Sequence, residues 1–364
     1  MPSGLTSPSH VDLAELERHE LEVLLRARGV APFRARQLYR WIYGRGVVDF
    51  AAMTDLPKDL RARLAREFVV KAPRVVADEL STDGTRKLVF ALGDGRTIES
   101  VFIPDTPAMT FCVSTQVGCA MGCGFCLTGR MGLVRHLTAG EIAGQVRALA
   151  LATGLLEHSF NIVLMGMGEP LHNYEQTMKA LRILHDEHGL HVSPRRVTLS
   201  TVGIVPGLER LAHEPLMPNL AISLHATTEE QRTALVPPNK KYSLKSILDA
   251  CRRFPLNKRS RITFEYVLLA GVNDSPADAR RLVKLLADIK AKVNIIPLNP
   301  APGIPYRRPS DDAIDAFASI LAEHRVTVSV RKSRGQDIRA ACGQLIVEGG
   351  TAKSAAQQMA LLMK

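Results

Sequence analysis

A chain of 364 residues and 39.8 kDa with 46% hydrophobic residues can fill the core of one large domain and a smaller one, which excludes a disordered or low-complexity protein. Lysine plus arginine (47) exceed aspartate plus glutamate (36), and the formal charge of +11 favours a polyanionic partner such as nucleic acid. The first residues lack a basic-then-apolar leader and the greasy run ALALATGLL is too short to cross a bilayer, so the expected compartment is the cytoplasm, with no membrane partner.

Residues 12–68 read as helices, with apolar positions three and four apart in LAELERHELEVLLRARG, and define a small N-terminal module over residues 1–75. From Arg26 to Arg74 there are 12 basic and 4 acidic residues, and RARGVAPFRARQLYRWIYGRG interleaves arginines with aromatics. That mixture suits phosphate contact and base stacking. It equally suits a helix with a solvated arginine face and an ordinary core face, and both readings stay open.

TRKLVFAL and RTIESVFIP flank the turn GDG, which predicts a β-hairpin within a linker, residues 76–104, leading into a core at 105–347. In that core six β-rich runs, TFCVSTQVG, NIVLMGMG, RRVTLSTVG, NLAISLHA, ITFEYVLLAG and VNIIPLNP, alternate with helical stretches. Such alternation implies an α/β fold with a parallel sheet, consistent with a partial (β/α)6 barrel whose chemistry gathers at the strand ends. VTVSVRKS and GQDIRAACGQLIVE are expected to finish the fold as further strands and helices, and residues 348–364 are a tail without a usable motif.

GCAMGCGFC, residues 118–126, holds three of the 6 cysteines, Cys119, Cys123 and Cys126. In a reducing compartment such a cluster ligates metal or does redox chemistry more often than it forms disulfides. Three thiolates on one glycine-bearing loop can hold three irons of a 4Fe-4S cluster and leave the fourth open. A structural zinc site would need a fourth ligand, and the next histidine, His136, lies in a helical approach. The spacing C-x3-C-x2-C, with Phe125 before the last cysteine, resembles the radical S-adenosylmethionine superfamily, in which the open iron chelates the cofactor.

MGMGEP, residues 165–170, resembles the superfamily motif that pairs with the cofactor's ammonium group, although glycine and proline alone would make a strand-to-helix turn there. LSTVG, AISLHA and PLNP end strands in Ser200, in Ser223 and His225, and in Asn299. Singly each is a cap or turn residue; at successive strand ends they point to one mouth. Cys251 in ILDACRRF reads as an apolar filler.

Taken in order, CVSTQVGCAMGCGFC, MGMGEPLHNY, VTLSTVG, AISLHA, IPLNPAPG and RGQDIRAACGQL resemble the RlmN family of adenosine-C2 RNA methyltransferases, over about residues 30–347. Leu127, where related sequences often have Ala or Ser, and the last residues depart from the pattern. The resemblance implies that Cys342 becomes S-methylcysteine, using one S-adenosylmethionine as methyl donor and a second as radical source. It implies that Cys112 resolves the protein–RNA crosslink through a transient disulfide, and that Glu99 accepts the C2 proton. From sequence alone Glu99 would read as an exposed strand glutamate. Gly168, Glu169, Ser200, Ser223, Leu224, His225 and Asn299 correspond to cofactor contacts. The implied partners are 23S rRNA, a tRNA adenosine beside the anticodon, and an electron donor such as flavodoxin, with the enzyme a monomer. The rival readings are a Cfr-type C8 methyltransferase and a zinc-holding RNA-binding module without catalysis.

Overall fold

The computed structural model describes residues 10–104, 108–258 and 260–346, so the tail at 348–364 lies outside the described residues. The first elements are β1 (Val11–Asp12), α1 (Arg18–Ala27), α2 (Arg34–Tyr39), α3 (Lys58–Glu67), β2 (Phe68–Val69), β3 (Arg74–Leu80), β4 (Arg86–Ala91), β5 (Thr97–Ile103), β6 (Thr110–Cys112), β7 (Gln116–Cys119), α4 (Leu127–Arg130) and β8 (Gly132–His136). Then come α5 (Ala139–Thr153), β9 (Asn161–Leu164), α6 (Tyr174–His185), β10 (Val197–Thr201), α7 (Val205–Leu211), β11 (Asn219–Ser223), α8 (Glu229–Leu235), α9 (Leu244–Arg253), β12 (Ile262–Leu268), α10 (Pro276–Leu286), β13 (Ala291–Pro297), α11 (Asp311–Glu323) and β14 (Thr327–Val330). Among the described residues no helix is long and apolar enough to cross a membrane.

Two compact units emerge. The first gathers the described residues up to Arg74 with Thr138–Ser159 and Glu175–Ser193, so α5 and nearly all of α6, expected inside the 105–347 core, group with the N-terminal helices instead. The reason is visible in their side chains. Gly140, Gly144, Gln145 and Arg147 are buried as well as the stripe Ile142, Ala143, Val146, Leu149 and Ala150, more of the α5 surface than one amphipathic stripe provides. The ion pairs Arg18–Asp186 (2.8 Å), Arg182–Glu17 (2.8 Å) and Lys179–Glu20 (2.7 Å) tie α1 and its approach to α6 and the turn after it.

The aromatics of this unit decide between the two readings left open above. Tyr39 and Tyr43 are fully buried, their hydroxyls donating to the carbonyls of Leu16 and Ala14, and Trp41 is buried with its indole N–H on Asp55. These three are core, so the Tyr-Trp-Ile-Tyr patch is a core face, while Phe33 of the same stretch is exposed. Arg147 is buried here too, donating to the Lys71 carbonyl at 2.8 Å.

The second unit is built on an open ten-stranded sheet in the order β14-β13-β12-β11-β10-β9-β6-β5-β4-β3. The six expected runs supply β6 and β9 to β13 as parallel neighbours, and β14 adds a seventh parallel strand. Sheet pairing is antiparallel from β6 to β5 and from β5 to β4. The 76–104 segment is therefore no linker: its hairpin continues the main sheet. Local signals match the helix starts; Ser275 caps α10 with Pro276 in the first turn and Asp278 closing a capping box.

Two local expectations change. TFCVSTQVG is not one strand: β6 ends at Cys112, and β7 leaves to pair antiparallel with β8, with a bulge between Val117 and Gly118. Gly118 has φ +75°, and a Cβ there would collide with the Gly132 carbonyl, so the bend requires glycine. His136 ends β8, two residues before Thr138, the N-cap of α5. The segment GQDIRAACGQL is not helical either. Gly335, Arg339 and Gly343 have φ of 60°, 52° and 82°, and left-handed residues at these intervals interrupt any helix.

Candidate active site

Parallel strands all end at one edge, and here that edge surrounds a cavity of about 160 Å³, more than the room one water needs. Cys119, Cys123 and Cys126 form part of its wall, together with Gly168, Glu169, Ser200, Ser223, His225, Asn299 and Cys342. Ten of the candidate residues thus meet in one place. Leu224, Cys112 and Glu99 are not on this wall. Leu224 is buried, and its backbone N–H donates to the Glu265 carbonyl at 3.0 Å, which seats Ser223 and His225 on either side of it.

The cysteine loop is held by its backbone. The Gly124 N–H donates to the Leu235 carbonyl (3.1 Å) and the Cys126 N–H to the Cys123 carbonyl (3.1 Å). The segment after Cys342 is fastened to the same loop: the Leu127 N–H donates to the Gly343 carbonyl (2.9 Å), and Thr128 Oγ1 donates to the Leu345 carbonyl (2.6 Å). Burial pushes the Cys119 thiol up to about 12 and raises Cys123 and Cys126 as well, each of the latter two also feeling a neighbouring cysteine. Thiolate ligands here need positive charge brought in from outside. Among the described residues no three His, Cys, Asp or Glu side chains converge closely enough for a single metal ion. Three soft sulfurs spread around one wall suit a polynuclear iron–sulfur group instead.

Glu169 is 2% exposed, and its Oε1 and Oε2 accept from the backbone N–H groups of Leu171 (3.0 Å) and Val202 (2.8 Å). Its own N–H donates to Gln116 Oε1 at 2.8 Å. Among the described residues it has no ion-pair partner, and burial pushes its carboxyl up to about 7. A buried carboxylate without a cation fits an ammonium ligand. Gly168 makes the approach possible, with φ +106° and a Cβ position only 2.6 Å from Gln116 Cβ.

Around the rest of the wall, Ser200 and Ser223 face each other at 3.3 Å. His225 is buried with φ 61°, uncommon for a residue other than glycine; its Nδ1 accepts from the Val267 N–H at 3.0 Å. Burial and Arg232 push its pKa down to about 3, so the ring is neutral, with the Nε2 proton available to a ligand. Phe125, the aromatic before the last loop cysteine, packs edge-on against it at 4.7 Å. Asn299 holds the methyl-carrier candidate: its Nδ2 donates to the Cys342 carbonyl at 3.2 Å, while its Oδ1 accepts from Ser333 and Gln336.

Cys112 and Cys342 are free thiols near enough to interact electrostatically, and burial, then Cys342, push Cys112 up to about 12. Two groups beside them escaped the sequence reading. Arg331, straight after β14, lies within the field of both cysteines and of Glu265. Glu265, in the otherwise apolar run ITFEYVL, is buried on the same wall and accepts from Asn294 Nδ2 at 2.7 Å. A charge at a parallel strand's end and one inside an apolar strand were the available signals. Glu99 is not exposed but 5% accessible; its Oε2 accepts from the Ile346 N–H at 2.8 Å and its Oε1 lies 3.3 Å from Lys87 Nζ.

Known proteins resemble this chain over nearly its full length. A family model for the ribosomal RNA large subunit methyltransferase N-terminal domain matches residues 11–70, and one for the radical SAM superfamily matches residues 113–283. The dual-specificity RNA methyltransferase RlmN of Syntrophotalea carbinolica is 52% identical over 346 residues, covering 95% of this chain and 92% of the relative. That of Geobacter sulfurreducens is 50% identical over 335 residues, covering 92% of each. A radical SAM methyltransferase structure from Sphaerobacter thermophilus superposes with a TM-score of 0.88 at 48% identity, over 92% of this chain and 99% of the other. Half the residues shared across nearly full length, with both regions matched in order, mean that the chain belongs to the RlmN family of radical S-adenosylmethionine RNA methyltransferases.

Proposed function

We propose that this RNA methyltransferase acts at C2 of an adenosine in 23S rRNA and of the adenosine just 3′ of a tRNA anticodon, with Cys342 as the covalent methyl carrier. The carrying observation is the single wall on which Cys342 joins the three loop cysteines, Glu169 and the strand-end polar residues. Carbon 2 of adenine lies between two ring nitrogens and is too electron-poor to attack a methyl sulfonium, so a polar transfer from cofactor to base is closed.

Cys119, Cys123 and Cys126 would hold a 4Fe-4S cluster, and Gly168, Glu169, Ser200, Ser223, Leu224, His225 and Asn299 would seat S-adenosylmethionine, with Glu169 taking its ammonium. When bound, the pair supplies an electron and a 5′-deoxyadenosyl radical. The Cys342 thiolate would attack the methyl carbon of a first S-adenosylmethionine, becoming S-methylcysteine and releasing S-adenosylhomocysteine. After losing a hydrogen atom to the radical drawn from a second, its methylene carbon bonds to C2. The adduct formed at C2 would give up one electron, which the bound cluster could take back, and Glu99 would take the C2 proton. Cys112 as thiolate would then attack the sulfur of Cys342; the electron pair of the broken sulfur–carbon bond stays on the transferred carbon, which gains a proton to become methyl, and a Cys112–Cys342 disulfide remains to be reduced. The enzyme works as a monomer with a flavodoxin-type electron donor, and arginines of the N-terminal module grip RNA phosphates around a splayed-out base.

Mapping the methyl group on RNA treated anaerobically with the purified enzyme tests this reading. Methyl at C2 and a methyl mass on the Cys342 peptide are expected; methyl at C8, or an unmodified Cys342 thiol after expression with cofactor supply, would overturn it.

A further inference from the structure

The carboxyl of Glu99 does not stand alone on its strand. In the β4–β5 ladder Lys87 is opposite Val101 and Val89 opposite Glu99, so Lys87 and Glu99 are diagonal neighbours on one face. Both are buried, their side chains 7% and 6% exposed, and Lys87 Nζ lies 3.3 Å from Glu99 Oε1. The same ammonium lies 3.3 Å from Glu79 Oε1 and donates to the Ile338 carbonyl at 2.7 Å. Its three protons therefore have three acceptors. One of them belongs to the segment that carries Cys342, and that segment also returns to Glu99 through the Ile346 N–H.

These groups border a cavity of about 460 Å³ whose charged lining consists of Glu79, Lys87, Glu99, Asp337 and Arg339. Asp337 is engaged elsewhere, accepting from Ser81 Oγ (2.6 Å) and the Thr82 N–H (3.1 Å). Lys87 is thus the cation in direct contact with the Glu99 carboxyl.

We propose that Lys87 is a positioning residue for the proton acceptor: its buried ammonium favours the anion of Glu99 and fixes it against the Cys342 segment. This rests on the reading of Glu99 as the base. A carboxylate on a buried strand is destabilised by desolvation, and a protonated Glu99 cannot accept the C2 proton. Burial pushes Glu99 up to about 7, with Lys87 and the Ile346 N–H pulling down and Glu79 pushing up. Removing the ammonium leaves Glu79 unopposed, and the carboxyl stays protonated through neutral pH.

The experiment follows resolution of the preformed protein–RNA crosslink against pH in the cluster-loaded parent and in Lys87→Met, Lys87→Arg and Glu99→Gln, with the methyl mass on Cys342 as control for folding and loading. Lys87→Met should move the acid limb of the profile up by at least about one pH unit and recover rate at high pH, while Lys87→Arg stays near the parent. An infrared titration of the Glu99 carboxyl in cluster-free protein, its band identified by loss in Glu99→Gln, should show the same shift without turnover. An unmoved midpoint in Lys87→Met by both measurements overturns the proposal. Crosslink resolution at the parental rate in Glu99→Gln would instead remove Glu99 as base and Lys87's part in the reaction, while the infrared midpoint still reports whether Lys87 sets the ionisation.

Discussion

The Leu127 N–H donates to the Gly343 carbonyl across 2.9 Å, joining the residue after the last loop cysteine to the residue after Cys342. Cys342, the proposed methyl carrier, is thereby fastened to the loop of the three proposed cluster ligands, and Gly343, at φ +82° with Phe125 O at 3.3 Å from its Cβ position, makes the fastening possible. Gly343→Ala should cost about 1–3 kcal/mol of local strain and loosen this contact. The expected outcome is a lower methyl occupancy on Cys342 by mass spectrometry with only a small drop in melting temperature. Full occupancy in the variant would show that the contact does not position the carrier.

Glu169 and Glu99 each titrate near pH 7, up from 4.5, because burial disfavours their anions. The folded chain then holds protons that an unfolded chain releases above its ordinary carboxylate range. Their contribution to stability is present below about pH 4.5 and is lost as pH rises through about 7, by a few kcal/mol in order of magnitude. Denaturant unfolding of the ligand-free chain should show this decline, and Glu169→Gln should flatten it. Equal slopes in parent and variant would mean that Glu169 is already ionised when the chain is empty.

In the proposed reaction Cys112 has no part in loading Cys342 but is required for release. Cys112→Ala is expected to accumulate protein–RNA crosslink that survives denaturing gels, while Cys342→Ala forms none. Free, fully methylated RNA from Cys112→Ala at normal turnover would remove Cys112 from the reaction.

Tyr43→Phe removes the hydroxyl that donates to the Ala14 carbonyl at 2.8 Å, so it should lower stability by about 1–3 kcal/mol while leaving RNA affinity unchanged. Arginine substitutions in the same stretch should do the reverse, weakening RNA binding and reducing its dependence on salt. A large loss of RNA affinity in Tyr43→Phe at unchanged stability would return the aromatics to the RNA interface.

Much of the site was legible because its chemistry is local in sequence. Cys119, Cys123 and Cys126 share one loop, and Ser200, Ser223 and Asn299 lie at or near the ends of β10, β11 and β13. Glu99 was legible only through resemblance, since an alternating strand does not say whether its polar face meets solvent; the C-terminal segment covering it does. Lys87 escaped for the same reason. The placing of α5 and α6 depended on partners far away in the chain, such as Glu17 and Glu20, and no local pattern encodes those.

Period, spacing and residue type determined the α/β alternation, the three-thiol loop and the mouth to which the strands point, because each depends on neighbours a few residues apart. The tertiary structure alone decided that Cys342, more than two hundred residues from the loop, lies on its wall, and that Tyr39, Trp41 and Tyr43 are core. It also decided that a carboxylate and an ammonium share a buried strand face. Burial and long-range pairing set the charge and reach of a side chain, and these are properties of the packed whole.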